Sequence, residues 1–173
     1  MEEQRAPSIA KIATKYGAIQ GVLSFLLVVV VAAVGMKQNW GSYISLVFLI
    51  VLMVLAHQAF KKTHEGMMTY PQGLGSGTLL SVVAAAITSV LMFVYVKFIN
   101  TGYIAATMKA QQEALAERGI TGAQADQAMA ITGAMLTPVG LVITSLLSGA
   151  IAGFIIAVIV SLFTRKGDSK AVV

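Results

Sequence analysis

Four long apolar runs, interrupted by short polar stretches, dominate the chain: residues 17–35, 42–60, about 74–100 with Lys97 near its end, and about 139–163. A helix needs about 20 mainly apolar residues to cross a hydrocarbon core about 30 Å thick, so each run is predicted to be a membrane-spanning helix. The valine-rich stretch from Val28 to Val31 would suit a strand locally. An isolated strand in lipid, however, leaves its backbone polar groups unpaired at several kcal/mol each, so helices are favoured. The expected fold is all-α, an integral membrane protein of four helices forming a single membrane domain over residues 1–173.

One sizeable polar segment, about 101–137, separates the third and fourth runs. Ile104, Met108 and Leu115 recur at helical steps, with Lys109, Gln112, Glu113, Glu117 and Arg118 off that stripe and Gly119 as a stop. Thr121 and Gln124 have capping-box spacing for a second helix carrying Ala125, Met129, Thr132 and Leu136 on one face. Thr137 and Pro138 then supply an N-cap and a first-turn proline for the last span. Together these predict an amphipathic helical hairpin that packs on the membrane surface or on itself, with a partner-binding groove as the alternative.

Ahead of the first run, Ile9, Ile12 and Tyr16 share a helical face beside Lys11 and Lys15, after a Pro7-Ser8 start. This stretch is either a short interfacial helix whose lysines meet anionic lipid or a continuation of the first span. Ala33-Val34-Gly35 has the small-x-small form of a cleavage site. The apolar run before it is longer than the roughly 7–15 residues of a secretory signal core, so the span is expected to be retained.

Composition changes the picture in one respect: it removes the water-soluble alternative. The chain is 57% hydrophobic, has 16 glycines besides, and is only 11% charged, where a soluble domain carries about a quarter charged residues. It contains no cysteine, which excludes disulfides, thiolate metal sites and cysteine nucleophiles. The net charge of +5 carries topology. Arg5, Lys11, Lys15, Lys61, Lys62, Arg165, Lys166 and Lys170 flank one set of span ends; Lys37, Lys97, Lys109 and Arg118 flank the other. The eight-to-four split puts both termini in the cytoplasm and the polar hairpin on the extracytoplasmic side. Basic residues spread over span ends do not make a nucleic-acid interface.

Lipid competes well with apolar side chains, so helix association in a membrane relies on close packing through small residues. Gly73, Gly77, Ser81, Ala85 and Ser89 recur every four residues in the third span; Ser145, Gly149, Gly153, Ala157 and Ser161 do so in the fourth. Gly17 and Gly21 form a shorter version in the first. Spans three and four are therefore expected to pack closely, joined by span one. Span two, with Trp40 and Tyr43 placed for the outer interfacial belt, is expected to face lipid on most of its girth. Gly73-Leu74-Gly75-Ser76-Gly77 looks like a dinucleotide fingerprint but lacks the strand and acidic ribose partner of one.

Candidate chemistry is sparse. No acid lies inside any run, whereas pathways through membranes are commonly marked by ionisable groups. His57 and Lys97 sit near span ends, where both are expected to reach headgroups. His57 and His64 are seven residues apart, about 10.5 Å along a continuous helix, too far for one metal ion. His57, His64 and Glu65 are the inner-side residues a lipid-directed enzyme would have to use, yet they supply no nucleophile, base and oxyanion set. Gln20 is expected to make an interhelical hydrogen bond. No catalytic, cofactor or metal site is expected, and the helix-packing positions Gly17, Gly21, Gly73, Gly77, Ser81, Ala85, Ser145, Gly149 and Gly153 are the candidate functional residues.

The run Lys15-Tyr16-Gly17-Ala18-Ile19-Gln20-Gly21 is followed by Tyr70-Pro71-Gln72-Gly73-Leu74 at the start of span three and by the stretch from Tyr95 to Asn100 at its end. Gly119-Ile120-Thr121 and Met135-Leu136-Thr137-Pro138 complete the order. In order and spacing these segments, over nearly the whole chain, resemble domain-of-unknown-function family 4199, although Pro71 and Gly73 depart from the family's usual Phe-x-Gln-Ala-Leu. The resemblance implies a small four-span bacterial inner-membrane protein, found mainly in Bacteroidota, with no activity to carry over. It also implies a polyprenyl-phosphate glycosyltransferase as one neighbouring partner. The expected function is a non-enzymatic accessory or scaffold subunit of a cell-envelope complex, or a homo-oligomer, in contact with membrane lipids and not with nucleic acid. The alternative is a small transporter, channel or lipid-handling protein, its path formed between copies and lined by Ser81, Thr88, Ser89, Thr144, Ser145 and Ser148.

Overall fold

The computed structural model describes residues 8–34 and 38–165, without the side chains of 38–40. The expectations attached to Arg5, Pro7, Gly35, Lys37, Lys166 and Lys170, and to the Trp40 side chain, lie outside the described residues. Six α-helices follow in order: α1 Ile9–Val34, α2 Gln38–Thr63, α3 Tyr70–Val94, α4 Tyr103–Glu117, α5 Ala123–Met135 and α6 Pro138–Thr164. A π-helical turn, Tyr95–Ile99, closes α3. Four helices, α1, α2, α3 with its π turn, and α6, are long and apolar enough to cross a membrane.

The helix ends show why the chain divides where it does. α1 starts at Ile9, and the stretch bearing Lys11 and Lys15 runs unbroken into the first span. Ser8 Oγ accepts the Lys11 N–H at 3.3 Å and so caps that start. α3 begins at Tyr70, four residues before the apolar run, because the Gln72 side chain reaches back to the Thr69 N–H at 2.9 Å. That is one half of a capping box. Thr137 Oγ1 accepts the Gly140 N–H at 3.0 Å and caps α6, with Pro138 in the first turn. The expected box at Thr121 and Gln124 does not form. Gly122 takes φ 65°, a conformation glycine adopts without steric cost, and α5 opens one residue later, at Ala123, with no side-chain cap.

Two helices end in the same device. After α4, Gly119 (φ 73°) turns the chain so that the Ile120 N–H bonds Leu115 O at 3.0 Å and the Gly119 N–H bonds Ala116 O at 2.9 Å. After α2 the corresponding left-handed position is Glu65 (φ 51°), with the Gly66 N–H on Lys61 O at 2.8 Å. The glutamate β-carbon makes that turn more costly than a glycine would, by about 1 kcal/mol.

The described residues form two compact units, one of those up to Thr88 with those from Ser148 onward, the other Ser89–Leu147. In the first, Ile12 and Ala13 of α1, Met53, Ala56 and Phe60 of α2, Met68, Leu80 of α3, and Ala157 and Val160 of α6 make one buried cluster. Outward from it, Leu26, Val30, Val47, Val51, Ile151 and Ile155 are exposed, an apolar outer surface that water would not tolerate and lipid would. In the second unit α4 and α5 pack on each other, with Leu115 buried. Tyr95 and Tyr103 meet edge to face at 6.0 Å between ring centroids, and Asn100 Nδ2 donates to Tyr95 Oη at 3.0 Å. Burial raises the Tyr103 pKa above its usual value, against the pull of its hydrogen bond with Thr107, so its phenol stays protonated at neutral pH.

Candidate functional site

The positions singled out by their spacing sit at close contacts between helices. A β-carbon on Gly77 would lie 2.8 Å from Ala157 Cβ and 2.9 Å from Met53 Sδ; on Gly149, 2.6 Å from Ala85 Cβ; on Gly73, 2.9 Å from Ser161 Oγ. On Gly153 it would overlap the Ser81 side chain. Each step of four residues up α3 is therefore matched by a step of four down α6, an antiparallel register in which one partner of every pair lacks bulk. Within the second unit the Ser89 and Ser145 hydroxyls are 2.5 Å apart. α1 meets α3 in a parallel register: a β-carbon on Gly17 would lie 2.6 Å from Leu80 O, and one on Gly21 2.8 Å from Ala84 O. Thr88 Oγ1 donates to Gly21 O at 3.0 Å across the same contact. Contacts this close multiply the small dispersion attraction of each atom pair, which is what holds helices together when lipid is the solvent.

At one end of this seam lies a polar node built on α2. His57 is fully buried; its Nε2 is 3.1 Å from Gly73 O and its Nδ1 2.8 Å from Thr164 Oγ1. A carbonyl only accepts, so Nε2 carries a proton, while the Thr164 hydroxyl lies 2.8 Å from both Nδ1 and Val160 O and has one proton to share between them. One turn further along α2, Lys61 Nζ donates to Thr164 O at 2.7 Å, and Ser76 Oγ donates to Gly73 O at 3.1 Å. The node joins α2, α3 and α6. The expectation that His57 reaches the headgroups is thereby corrected. Gly73 has no side chain to keep the imidazole off the α3 backbone, and the ring finds partners for both nitrogens inside the protein.

The other candidates take separate places. His64 stacks on Phe60 with ring centroids 3.9 Å apart and lies 2.9 Å from Thr63 Oγ1, so its partners come from its own helix end. Lys97 remains exposed, near the rings of Phe93 and Phe98. Among the described residues no group of three or more His, Asp or Glu side chains could hold a metal ion. Gln20 Nε2 donates to Ser24 Oγ at 3.1 Å and across to Ser45 O of α2 at 3.3 Å, while Ser24 Oγ and Ser45 Oγ are 3.1 Å apart. Ser81 Oγ donates to Gly77 O at 3.0 Å, and Ser145 Oγ lies 2.6 Å from Leu141 O. These hydroxyls bond to backbone carbonyls of the helices or to one another.

Four apolar spans, small-residue seams between them and a polar node satisfied from within define a multi-pass α-helical membrane protein. The chain belongs to the family described as protein of unknown function, DUF4199, which it matches over residues 15–166. No curated protein and no solved structure matches it. The matched segment contains both glycines of α1, the α3–α6 register and every residue of the His57 node.

Proposed function

We propose that this is a non-enzymatic protein of the bacterial inner membrane that works by association, as an accessory or scaffold subunit of a cell-envelope complex or as a homo-oligomer. The observation that carries this reading is the use made of the small and polar residues. The glycine seams and the hydroxyls of Thr88, Ser89 and Ser145 join helices of one chain, and the Ser81 hydroxyl is bonded within its own helix. Association with a partner then falls to the apolar outer faces, such as that bearing Ile151 and Ile155 on α6. Affinity purification from native membranes in mild detergent should recover a second copy or a stoichiometric companion, a polyprenyl-phosphate glycosyltransferase being the first to look for. Recovery of a lone monomer that conducts ions or moves lipids after reconstitution would overturn the reading in favour of transport. What favours transport is that Gln20 Oε1 and Ser161 Oγ are buried without a hydrogen-bond partner among the described residues.

In this reading both termini are cytoplasmic and α4 with α5 forms a hairpin on the extracytoplasmic side. The lysine and arginine asymmetry supports it. So does the cluster that gathers Ile12, Phe60, Met68 and Val160, since it brings together the span ends flanked by Lys11, Lys61, Lys62 and Arg165. The absence of cysteine makes the test clean. A membrane-impermeant maleimide applied to spheroplasts should label Arg118→Cys at once and Lys61→Cys only after permeabilisation. Equal labelling of both without permeabilisation would reject this topology.

A further inference from the structure

A groove of about 250 Å³ runs along the outside of the first unit between α2 and α6, lined by Ile50, Val54, Ile156, Ile159, Val160, Phe163 and Thr164. Its wall is apolar, and Thr164 lies at one end of it. There the Lys61 ammonium is hydrogen-bonded to Thr164 O, and exposed Arg165 is the next residue. We propose that this groove binds one acyl chain of an anionic phospholipid, with the lipid phosphate held by Lys61 and Arg165.

Three features fix the occupant. The first is length: on α6 the lining runs from Ile156 to Thr164, about 12 Å at 1.5 Å per residue. One leaflet of hydrocarbon is about 15 Å deep, so the groove reaches from the span end to near its middle, as one acyl chain does. The second is width. The volume falls below the roughly 300–1,000 Å³ of sites for compact, drug-sized ligands, and a single hydrocarbon chain is the apolar object that suits it. The third is charge. Lys61 gives one N–H to Thr164 O, leaving two donors for a phosphate, and Arg165 adds a guanidinium able to bind phosphate oxygens in pairs. Basic groups at the mouth of a groove between helices are the arrangement that selects anionic headgroups. Lys62, one residue beyond Lys61, serves as a control because it is exposed and has no part in the groove.

The test uses the full chain in detergent, given equal amounts of phosphatidylglycerol and phosphatidylcholine with identical chains, and counts retained lipid by mass spectrometry. Wild type should retain phosphatidylglycerol over phosphatidylcholine by roughly tenfold, in line with two basic contacts. Arg165→Gln, whose side chain is exposed, should cut that preference severalfold with thermal unfolding unchanged. Lys61→Gln combined with it should bring the two lipids near parity. Ile159→Trp, which fills the groove and leaves both charges, should lose the retained lipid, while Lys62→Gln should behave as wild type. Equal retention of both lipids by wild type would overturn the proposal. A preference that survives Ile159→Trp, or displacement of the lipid by excess inorganic phosphate alone, would overturn it too, by assigning the effect to a basic surface rather than to the groove.

Discussion

Gly153→Ala is expected to lower the stability of the protein in mild detergent by about 1–3 kcal/mol, the usual consequence of overpacking a close contact. The new methyl would occupy the place of the Ser81 side chain, and neither neighbour can step aside cheaply. Ser81 Oγ is bonded back to Gly77 O at 3.0 Å. α3 as a whole is backed by α1, whose Gly17 and Gly21 already admit the carbonyls of Leu80 and Ala84 at distances no β-carbon could tolerate. Retreat from α6 would therefore drive α3 into α1. Gly75→Ala is the control: it lies in α3, the helix that Gly153 meets, with nothing within 4 Å of its added β-carbon, and alanine's better helix propensity should leave stability unchanged or raise it by up to about 1 kcal/mol. Adding Ser81→Gly to Gly153→Ala removes the atoms that the methyl meets, so the pair should recover much of the loss, a coupling that distant sites do not show. Thermal unfolding followed by helical circular dichroism reads all three. Equal melting of Gly153→Ala and Gly75→Ala would refute the seam.

How far this packing could be read from the sequence depends on the kind of residue. The four spans and the ridge of small residues were legible because lipid imposes one rule on both: a helix must be long and apolar, and it must offer small faces where it meets another. The helix starts were half legible. Thr137-Pro138 announced α6, and the capping of α3 by Gln72 has its signal in the Thr-x-x-Gln pattern of Thr69 and Gln72 just before the apolar run. Thr121 and Gln124 carried the same spacing and failed, because Gly122 offers a left-handed turn that spacing alone does not weigh. The His57 node was the least legible part. Its partners lie 16 and 107 residues away, and one of them is a backbone carbonyl, which no side-chain pattern reports. A local signal existed: His57 stands beside Ala56 and at helical steps from Met53 and Phe60, all buried on the inner face of α2. A polar residue on the buried face of a spanning helix must find partners inside the protein, and this rule outweighs nearness to the span end.

His57→Ala is expected to cost about 3 kcal/mol and to loosen α2 from α3 and α6. The magnitude follows from two contributions. Interhelical hydrogen bonds in membranes average only about 0.6 kcal/mol each, so the two bonds of the imidazole supply the smaller share. The larger share is the cavity left by a fully buried ring, for which truncations of large side chains cost about 2–5 kcal/mol. Thr164→Val removes one of the same bonds without a cavity and should cost under about 1 kcal/mol. Because the Thr164 hydroxyl and the imidazole share a bond of 2.8 Å, the double variant should melt close to His57→Ala alone, the non-additivity of groups in one network. His57→Gln separates a structural from a catalytic histidine. Its amide keeps an N–H donor within reach of Gly73 O and fills most of the ring's volume, so it should restore at least half of the lost stability and with it recovery of the companion in affinity purification. A catalytic imidazole would show the reverse, with wild-type melting in His57→Gln and a lost activity. Additive losses in the double variant, or an alanine variant that melts like wild type, would mean that the node does not hold the three helices together and that the register of α3 on α6 does so unaided.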